Sequence, residues 1–142
     1  MGERHGESAR VLVDRLAAAV NAHDLDALVA CFSPDYRNET PAHPRRGFRG
    51  AAQVRRNWEQ IFAAVPDLTA RVLRSAVAGE EVWTEWEHVG TRRDGVTHRM
   101  RGVVILGLAG GRFSWARFYL EPVDDAAGDA DAAVASILGV TS

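Results

Sequence analysis

Val82-Trp83-Thr84-Glu85-Trp86-Glu87-His88-Val89 and Arg99-Met100-Arg101-Gly102-Val103-Val104-Ile105-Leu106 decide how this chain folds, because charged residues recur at every second position through much of both stretches. A period of two is the mark of a half-buried strand. Between them, Arg93-Asp94-Gly95 suits a three-residue hairpin loop with Gly95 in the left-handed position of a bulge. Such a loop sets the register. Glu87 falls opposite Arg101 and Val89 opposite Arg99 on one face, while Trp86 meets Gly102, His88 meets Met100 and Thr84 meets Val104 on the other. A similar three-residue loop at Ala109-Gly110-Gly111 continues the pattern. It opposes Arg101 to Tyr119, Arg99 to Glu121 and Val103 to Arg117, and on the other side Gly102 to Phe118, Val104 to Ala116 and Leu106 to Ser114.

The two faces separate cleanly. One carries Glu85, Glu87, Arg99, Arg101, Arg117, Tyr119 and Glu121, with Trp115 and Ile105 toward one end. The other carries Val82, Thr84, Trp86, His88, Met100, Gly102, Val104, Leu106, Ala116, Phe118 and Leu120. A slip of one residue would scramble this segregation, so the register supports itself. The apolar face is the one that carries the rest of the protein. Gly102, between Trp86 and Phe118, leaves a gap in an otherwise filled layer and reads as a pocket floor.

Working outward, strands are expected at about 68–78, 81–92, 96–108 and 112–121. Upstream the period is helical. Val11, Leu12, Leu16, Ala19 and Val20 form a stripe over about 8–20, with Ser8 placed to cap. Asn21-Ala22-His23-Asp24 breaks that helix, and Asp24 caps a short second one ending near Phe32. Ser33-Pro34-Asp35 reads as a turn, 36–40 as a short strand and 41–50 as a Pro- and Arg-containing loop. A third helix over about 51–64 puts Val54, Trp58, Ile61 and Phe62 on one face, and Pro66 ends it. After 123 comes an acidic, Gly-containing tail and a possible short helix over 132–138. Helices first and then a meander imply an α+β fold with the helices on one face of the sheet. One domain over 1–142 is expected, its core about 8–123.

Composition narrows the function. A net charge of −2 gives no reason to expect nucleic acid or an anionic membrane as partner. All 17 basic residues are arginine, so lysine Schiff-base chemistry is excluded. Cys31 is the only cysteine and reads as a buried thiol. The histidines His23, His43, His88 and His98 show no metal-ligand spacing, and no Gly-rich phosphate loop follows a strand, so neither a metal nor a nucleotide cofactor is expected. Residues 1–10 lack an apolar run and no segment approaches the roughly 18 apolar residues of a membrane span, which makes the cytoplasm the expected location.

Asn21-Ala22-His23-Asp24-Leu25-Asp26-Ala27-Leu28-Val29-Ala30-Cys31-Phe32, followed by Asp35 and Pro41, resembles the opening of ketosteroid isomerases and SnoaL-like polyketide cyclases. Val82-Trp83-Thr84-Glu85 and Gly111-Arg112 resemble limonene epoxide hydrolases as well. The resemblance spans about 11–123 and points to the nuclear transport factor 2-like superfamily. It implies a cone-shaped curved antiparallel sheet wrapped around three N-terminal helices, enclosing a small-molecule pocket. Matched residue by residue, Leu16 stands where the isomerases have their oxyanion-binding tyrosine, Thr40 where they have their base aspartate, and the second acid falls near Val103. Tyr36 and Asn38 match the tyrosine and asparagine that hold water in the epoxide hydrolases. Their arginine and two aspartates correspond to Trp86, His88 and Phe118, and Phe118 also replaces the acid–base aspartate of the cyclases. The familiar carboxylate chemistry of these enzymes is therefore not carried over.

His88 leads the candidates, as the one titratable residue read onto the apolar sheet face. An imidazole suits general acid–base work near neutrality, whereas the structural alternative is a core histidine bonded to a backbone carbonyl or a tyrosine. Tyr36 and Asn38 supply a phenol and an amide that position water or polarise a carbonyl. Trp58, Phe62, Trp86, Met100, Gly102 and Phe118 are the expected ligand-lining positions. Glu39 and His43, in or beside the loop after the first strand, are secondary candidates, although alternation turns Glu39 away from the pocket. Arg45, Arg46, Arg49, Arg55 and Arg56 form a local basic cluster, read as a solvated helix start or as an attractor of an anionic substrate. Two functions stay open, cofactor-free proton-transfer chemistry on a hydrophobic small molecule and ligand binding without catalysis. A third reading is a dimerisation module. A homodimer through the face of Trp115, Arg117, Tyr119 and Ile105 is expected in any case, since aromatics and arginines favour interfaces.

Overall fold

A computed structural model describes residues 2–126 and 128–140. Helix α1 (Gly2–Ala22) and the short α2 (Leu25–Val29) precede strand β1 (Phe32–Glu39). A single 3-10 turn at Pro44–Arg46 leads to β2 (Phe48–Arg49) and helix α3 (Ala51–Ala64). Strands β3 (Thr69–Ala78), β4 (Glu81–Thr91), β5 (Thr97–Ala109) and β6 (Arg112–Pro122) follow as a meander, then helix α4 (Ala130–Leu138). The six strands form one sheet in the order β2-β1-β6-β5-β4-β3. All neighbours are antiparallel except β1 and β6, which run parallel. The core lies between the inner sheet face and the helices, where Leu12, Leu16, Val20, Leu28, Val54, Trp86, Leu106 and Ala116 are buried.

The Asn21-Ala22-His23-Asp24 break is an anchoring device. His23 takes the left-handed conformation (φ 53°) that stops α1, and Asp24 accepts a hydrogen bond from Ala27 N at 3.1 Å to start α2. The Asn21 amide donates to Ala70 O at 3.0 Å and accepts from Ala70 N at 2.7 Å, behaving as an extra peptide beside edge strand β3. His23 bonds Leu68 O at 2.9 Å through Nε2 and stacks on Phe62 with ring centres 4.4 Å apart. The motif therefore ties helix, helix and sheet together.

Several expectations need correcting. Helix α1 begins at Gly2, so Ser8 lies inside it and caps nothing. Ser33-Pro34-Asp35 is part of β1, in a stretch where the pairing with β6 shifts register between Phe32 and Arg37. Pro34 is tolerated because that irregular stretch does not need its missing N–H. The β4–β5 register agrees with the expected one, with Glu87 opposite Arg101, Trp86 opposite Gly102 and His88 opposite Met100. The β5–β6 register does not. Arg101 meets Glu121, Gly102 meets Leu120, Val104 meets Phe118 and Leu106 meets Ala116. The hairpin closes on two residues, Gly110 and Gly111 (φ 60° and 78°), and a bulge follows between Gly107 and Leu108. The net displacement is two positions, so every side chain keeps its face.

Gly102 also has another role than a pocket floor. Its φ is +152°, and a Cβ built there would lie 2.1 Å from the carbonyl oxygen of Tyr119 and 2.8 Å from Leu120 Cα. Glycine lets β5 and β6 approach at a bend of the sheet. Gly102 is not among the residues that line the cavities of the inner face.

Candidate functional site

Alternation on β4 sends Trp86 and His88 inward, toward α3, and the hydroxyl of Thr84 organises that row. Trp86 Nε1 donates to Thr84 Oγ1 at 2.7 Å, and Thr84 Oγ1 donates to Val104 O at 2.7 Å. With its indole nitrogen satisfied, Trp86 offers apolar surface only. Trp58 faces it from α3, and the His88 ring sits 6.0 Å from Trp58 and 5.8 Å from Trp86, edge-on to the latter.

Trp58 and His88 border a chamber of about 410 Å³, in the range of small-molecule sites. Phe32, Tyr36, Asn38, Thr40, Arg46, Phe48, Asn57, Trp58, Ile61, His88, His98, Met100, Phe118 and Leu120 are among its lining. Phe32, Trp58, His88, Phe118 and Leu120 also line a deeper recess of about 30 Å³, with Leu16, Val20, Trp86, Val104 and Leu106. The deep end is hydrocarbon apart from His88. Polar groups gather in the outer chamber.

His88 is 8% exposed and makes no hydrogen bond to the protein among the described residues. No described buried side-chain nitrogen or oxygen is sealed off without a partner, so its ring nitrogens look into the cavity. Burial, reinforced by His98, pushes its pKa down to about 4, and the imidazole is neutral at pH 7. On β1, the Tyr36 hydroxyl donates to Asn38 Oδ1 at 2.7 Å, both residues being buried. Burial pushes the phenol pKa up, so Tyr36 stays protonated and its hydrogen bond holds the amide in place. Asn38 keeps its N–H groups for whatever occupies the chamber.

Other positions fall outside the chamber. Phe62 stacks on His23 and packs against Trp58 from behind, with ring centres 5.6 Å apart. Glu39 lies on the outer sheet face, between Arg117 at 2.9 Å and Arg37 at 3.2 Å. His43 holds Glu121 at 3.0 Å, fastening the loop after β1 to the end of β6. Arg46, His98, Asn57 and Thr40 also line the chamber; Thr40 stands at the position matched to the isomerase base and Arg46 belongs to the basic cluster, whereas nothing at first reading marks Asn57. His98 is a second titratable group on the inner face, opposite Gly90, and alternation back from Met100 is the signal that places it there. Cys31 is buried, and burial raises the pKa of its thiol. Among the described residues, no group of three His, Cys, Asp or Glu side chains is placed to hold a metal ion, and no helix is long and apolar enough to cross a membrane.

A curved six-stranded sheet with helices packed on its inner face is the nuclear transport factor 2-like α+β fold. The SnoaL-like domain family matches residues 13–116, and the chain belongs to that family. No curated protein matches the sequence. Solved structures do. A Bacillus subtilis protein provisionally described as an isomerase superposes with a TM-score of 0.73 at 15% identity, covering 82% of this chain and 88% of its own. A Jannaschia sp. CCS1 protein, provisionally described as a SnoaL-like polyketide cyclase, gives 0.69 at 20% identity, with coverages of 80% and 85%. A Catenulispora acidiphila protein with a ketosteroid isomerase-like fold, in complex with trimethylamine, gives 0.64 at 19% identity, with coverages of 76% and 84%. At such identities the shared property is the fold.

Proposed function

We propose that this protein is a cofactor-independent acid–base enzyme acting on a hydrophobic small molecule, of the isomerase, cyclase, dehydratase or hydratase type. One observation carries the reading: a neutral imidazole, buried in an apolar wall, turns unbonded nitrogens into a ligand-sized chamber. His88 takes a proton from carbon next to a carbonyl, and the C–H electron pair passes into the enolate. The Asn38 N–H, oriented by Tyr36, donates to the enolate oxygen. The imidazolium then returns the proton at the same or a conjugated carbon. A base with so low a pKa is weak in the empty site, but the enolate it creates is an opposite charge beside it against an apolar wall, which favours the protonated ring. Trp58, Trp86, Met100 and Phe118 provide apolar contact.

The probe is deuterium incorporation α to the carbonyl of hydrophobic cyclic ketones such as 2-tetralone, followed by NMR in D₂O. His88→Ala should lower the exchange rate by roughly 10²–10⁴-fold, the usual worth of a positioned acid or base, while ketone affinity changes far less. Full exchange in His88→Ala would sink the mechanism. A second reading, a binder without catalysis, draws on the lack of any carboxylate in the chamber lining; it expects ketone binding without exchange in either protein.

We also propose a homodimer through the outer sheet face. Trp83 and Tyr119 are 46% and 44% exposed there, whereas Ile105 is 5% exposed and has little surface left to contribute. Light scattering giving a 15.5 kDa species at micromolar concentration would exclude it.

A further inference from the structure

Three polar side chains of the chamber, Asn38, Asn57 and Arg46, turn donors toward it, beside Thr40 and the imidazoles of His88 and His98, which also accept. Asn38 has its amide oxygen occupied by the Tyr36 hydroxyl at 2.7 Å, and Asn57 has its own occupied by Gln53 Nε2 at 2.7 Å. Each amide therefore offers chiefly its N–H groups to a ligand. Arg46 adds a guanidinium, which is donor only. None of the fifteen lining residues is an aspartate or glutamate. On the outer sheet face the arginines behave differently. Arg37 and Arg117 share Glu39, and Arg71, Arg99 and Arg101 share Glu87. Arg46 makes no ion pair among the described residues. Its turn is fixed by the chain itself, through Arg46 N to His43 O at 2.9 Å and the His43–Glu121 pair at 3.0 Å.

We infer that the ligand is an amphipathic monoanion, a carboxylate on a hydrophobic ring or chain. Its head takes the free N–H groups of Asn38, Asn57 and Arg46, and its hydrocarbon end enters the recess between Trp58 and Trp86. The inference names the ligand class of the chamber assigned above and rests on that chamber being a ligand site. It does not depend on catalysis. A guanidinium and amide N–H groups side by side favour an acceptor carrying charge, whereas an ammonium head beside Arg46 would meet a like charge.

Three probes with one naphthyl body separate the possibilities: 2-naphthylacetate, 2-naphthylacetamide and 2-(2-naphthyl)ethylammonium, titrated by calorimetry against the full chain. The carboxylate should bind about tenfold or more tighter than the amide, the usual worth of a charge-assisted hydrogen bond. The ammonium should bind weakest, and the carboxylate's advantage should shrink in high salt. Arg46→Gln should remove most of that advantage, weakening the carboxylate much more than the amide. Arg45→Gln, at a neighbour outside the chamber lining, should keep it, with circular dichroism showing both variants folded. Equal binding of carboxylate and amide, or a preference untouched by Arg46→Gln, overturns the inference while leaving the chamber a ligand site. Binding by none of the three overturns the inference and the chamber assignment together. Carboxylate preference without ketone exchange supports the inference and removes the catalytic reading alone.

Discussion

Glu87 and His88 are consecutive residues of one strand, and they live in opposite electrostatic worlds. The Glu87 carboxylate faces outward with Arg71 at 2.8 Å, Arg99 at 3.4 Å and Arg101 at 3.8 Å, and hydrogen bonds from Arg71 and Arg99 hold its pKa below the usual carboxylate range. The His88 imidazole faces inward among Trp58, Trp86 and Phe118, where burial keeps it neutral. Strand alternation accounts for the difference. The sheet separates the ion pairs of its outer face from the uncharged groups that face the chamber. The two faces suit different chemistry: a carboxylate beside His88 would be held in hydrocarbon, and a neutral group in place of Glu87 would leave three guanidinium groups together, screened by water.

The separation depends on the sheet bending, so the strongest way to break it is at Gly102. In Gly102→Ala the left-handed backbone costs about 1–3 kcal/mol. The methyl group then meets the Tyr119 carbonyl, which no side-chain rotation relieves, and overpacking adds about 1–3 kcal/mol more. The loss seen in urea unfolding should exceed that of His88→Gln, Tyr36→Phe or Glu87→Gln. A variant with wild-type stability would mean that the bend is not needed to form the inner wall.

The second effect is in pH. A histidine whose pKa falls from its ordinary 6.5 to about 4 on folding binds fewer protons in the folded state between those values. Stability therefore rises with pH across this window. The contribution is complete above about pH 6.5 and is lost as the pH falls toward 4, up to about 3 kcal/mol in all. His88→Gln should lack that slope. Its unfolding free energy should change less than the wild type's between pH 6.5 and 4.5, where most carboxylates are still ionised. Equal slopes would place His88 in contact with water, and the inner–outer contrast would lose its main support.

Much of that contrast was legible in the sequence, and for a definite reason. Wherever pairing is regular, alternation and turn chemistry suffice. Arg93-Asp94-Gly95 fixed the β4–β5 register, and Trp86 and His88 face inward as read. The adjacent turn was ambiguous because two consecutive glycines suit both a two-residue and a three-residue hairpin; the bulge after it has no signature in Phe113-Ser114-Trp115. The candidate site was legible where strands carry it. Alternation places His88, the family resemblance points to Tyr36 and Asn38 on β1, and His98 lies one inward position beyond Met100. Arg46 and Asn57 reach the chamber because a non-periodic loop and the neighbouring helix close over it. No spacing rule carries that closure. Phe62 lies on the apolar stripe of α3 at the angle that packs His23, which the stripe alone does not distinguish from the angle that faces the pocket.

Tyr36→Phe tests the inner face one bond at a time. It removes the donor to Asn38 Oδ1 and leaves that buried acceptor to a water or to nothing, a loss of about 1–3 kcal/mol in unfolding free energy. If Asn38 is the oxyanion donor, ketone exchange should also slow more than ketone binding weakens, because a freed amide no longer holds its direction. A loss of stability with exchange unchanged would reduce the pair to an internal anchor.

The smallest effect should come from the outer face. Glu87→Gln keeps the shape of the side chain and removes the charge that Arg71, Arg99 and Arg101 share. The arginines are 41–69% exposed, so water and salt already screen the interaction, and pairs of this kind contribute little to stability. The melting temperature should fall less than in any of the inner-face variants. The fall should be smaller in 1 M than in 0.01 M salt, since the Debye length drops from about 30 Å to about 3 Å. The sign of the salt effect matters as much as its size. Repulsion among the three remaining guanidinium groups is relieved by added ions, so salt should close the gap between variant and wild type. A large loss that depends on protein concentration rather than on salt would mean that Glu87 is buried against a second chain. The outer face would then be the dimer interface, and its charges would belong to the inside of an assembly.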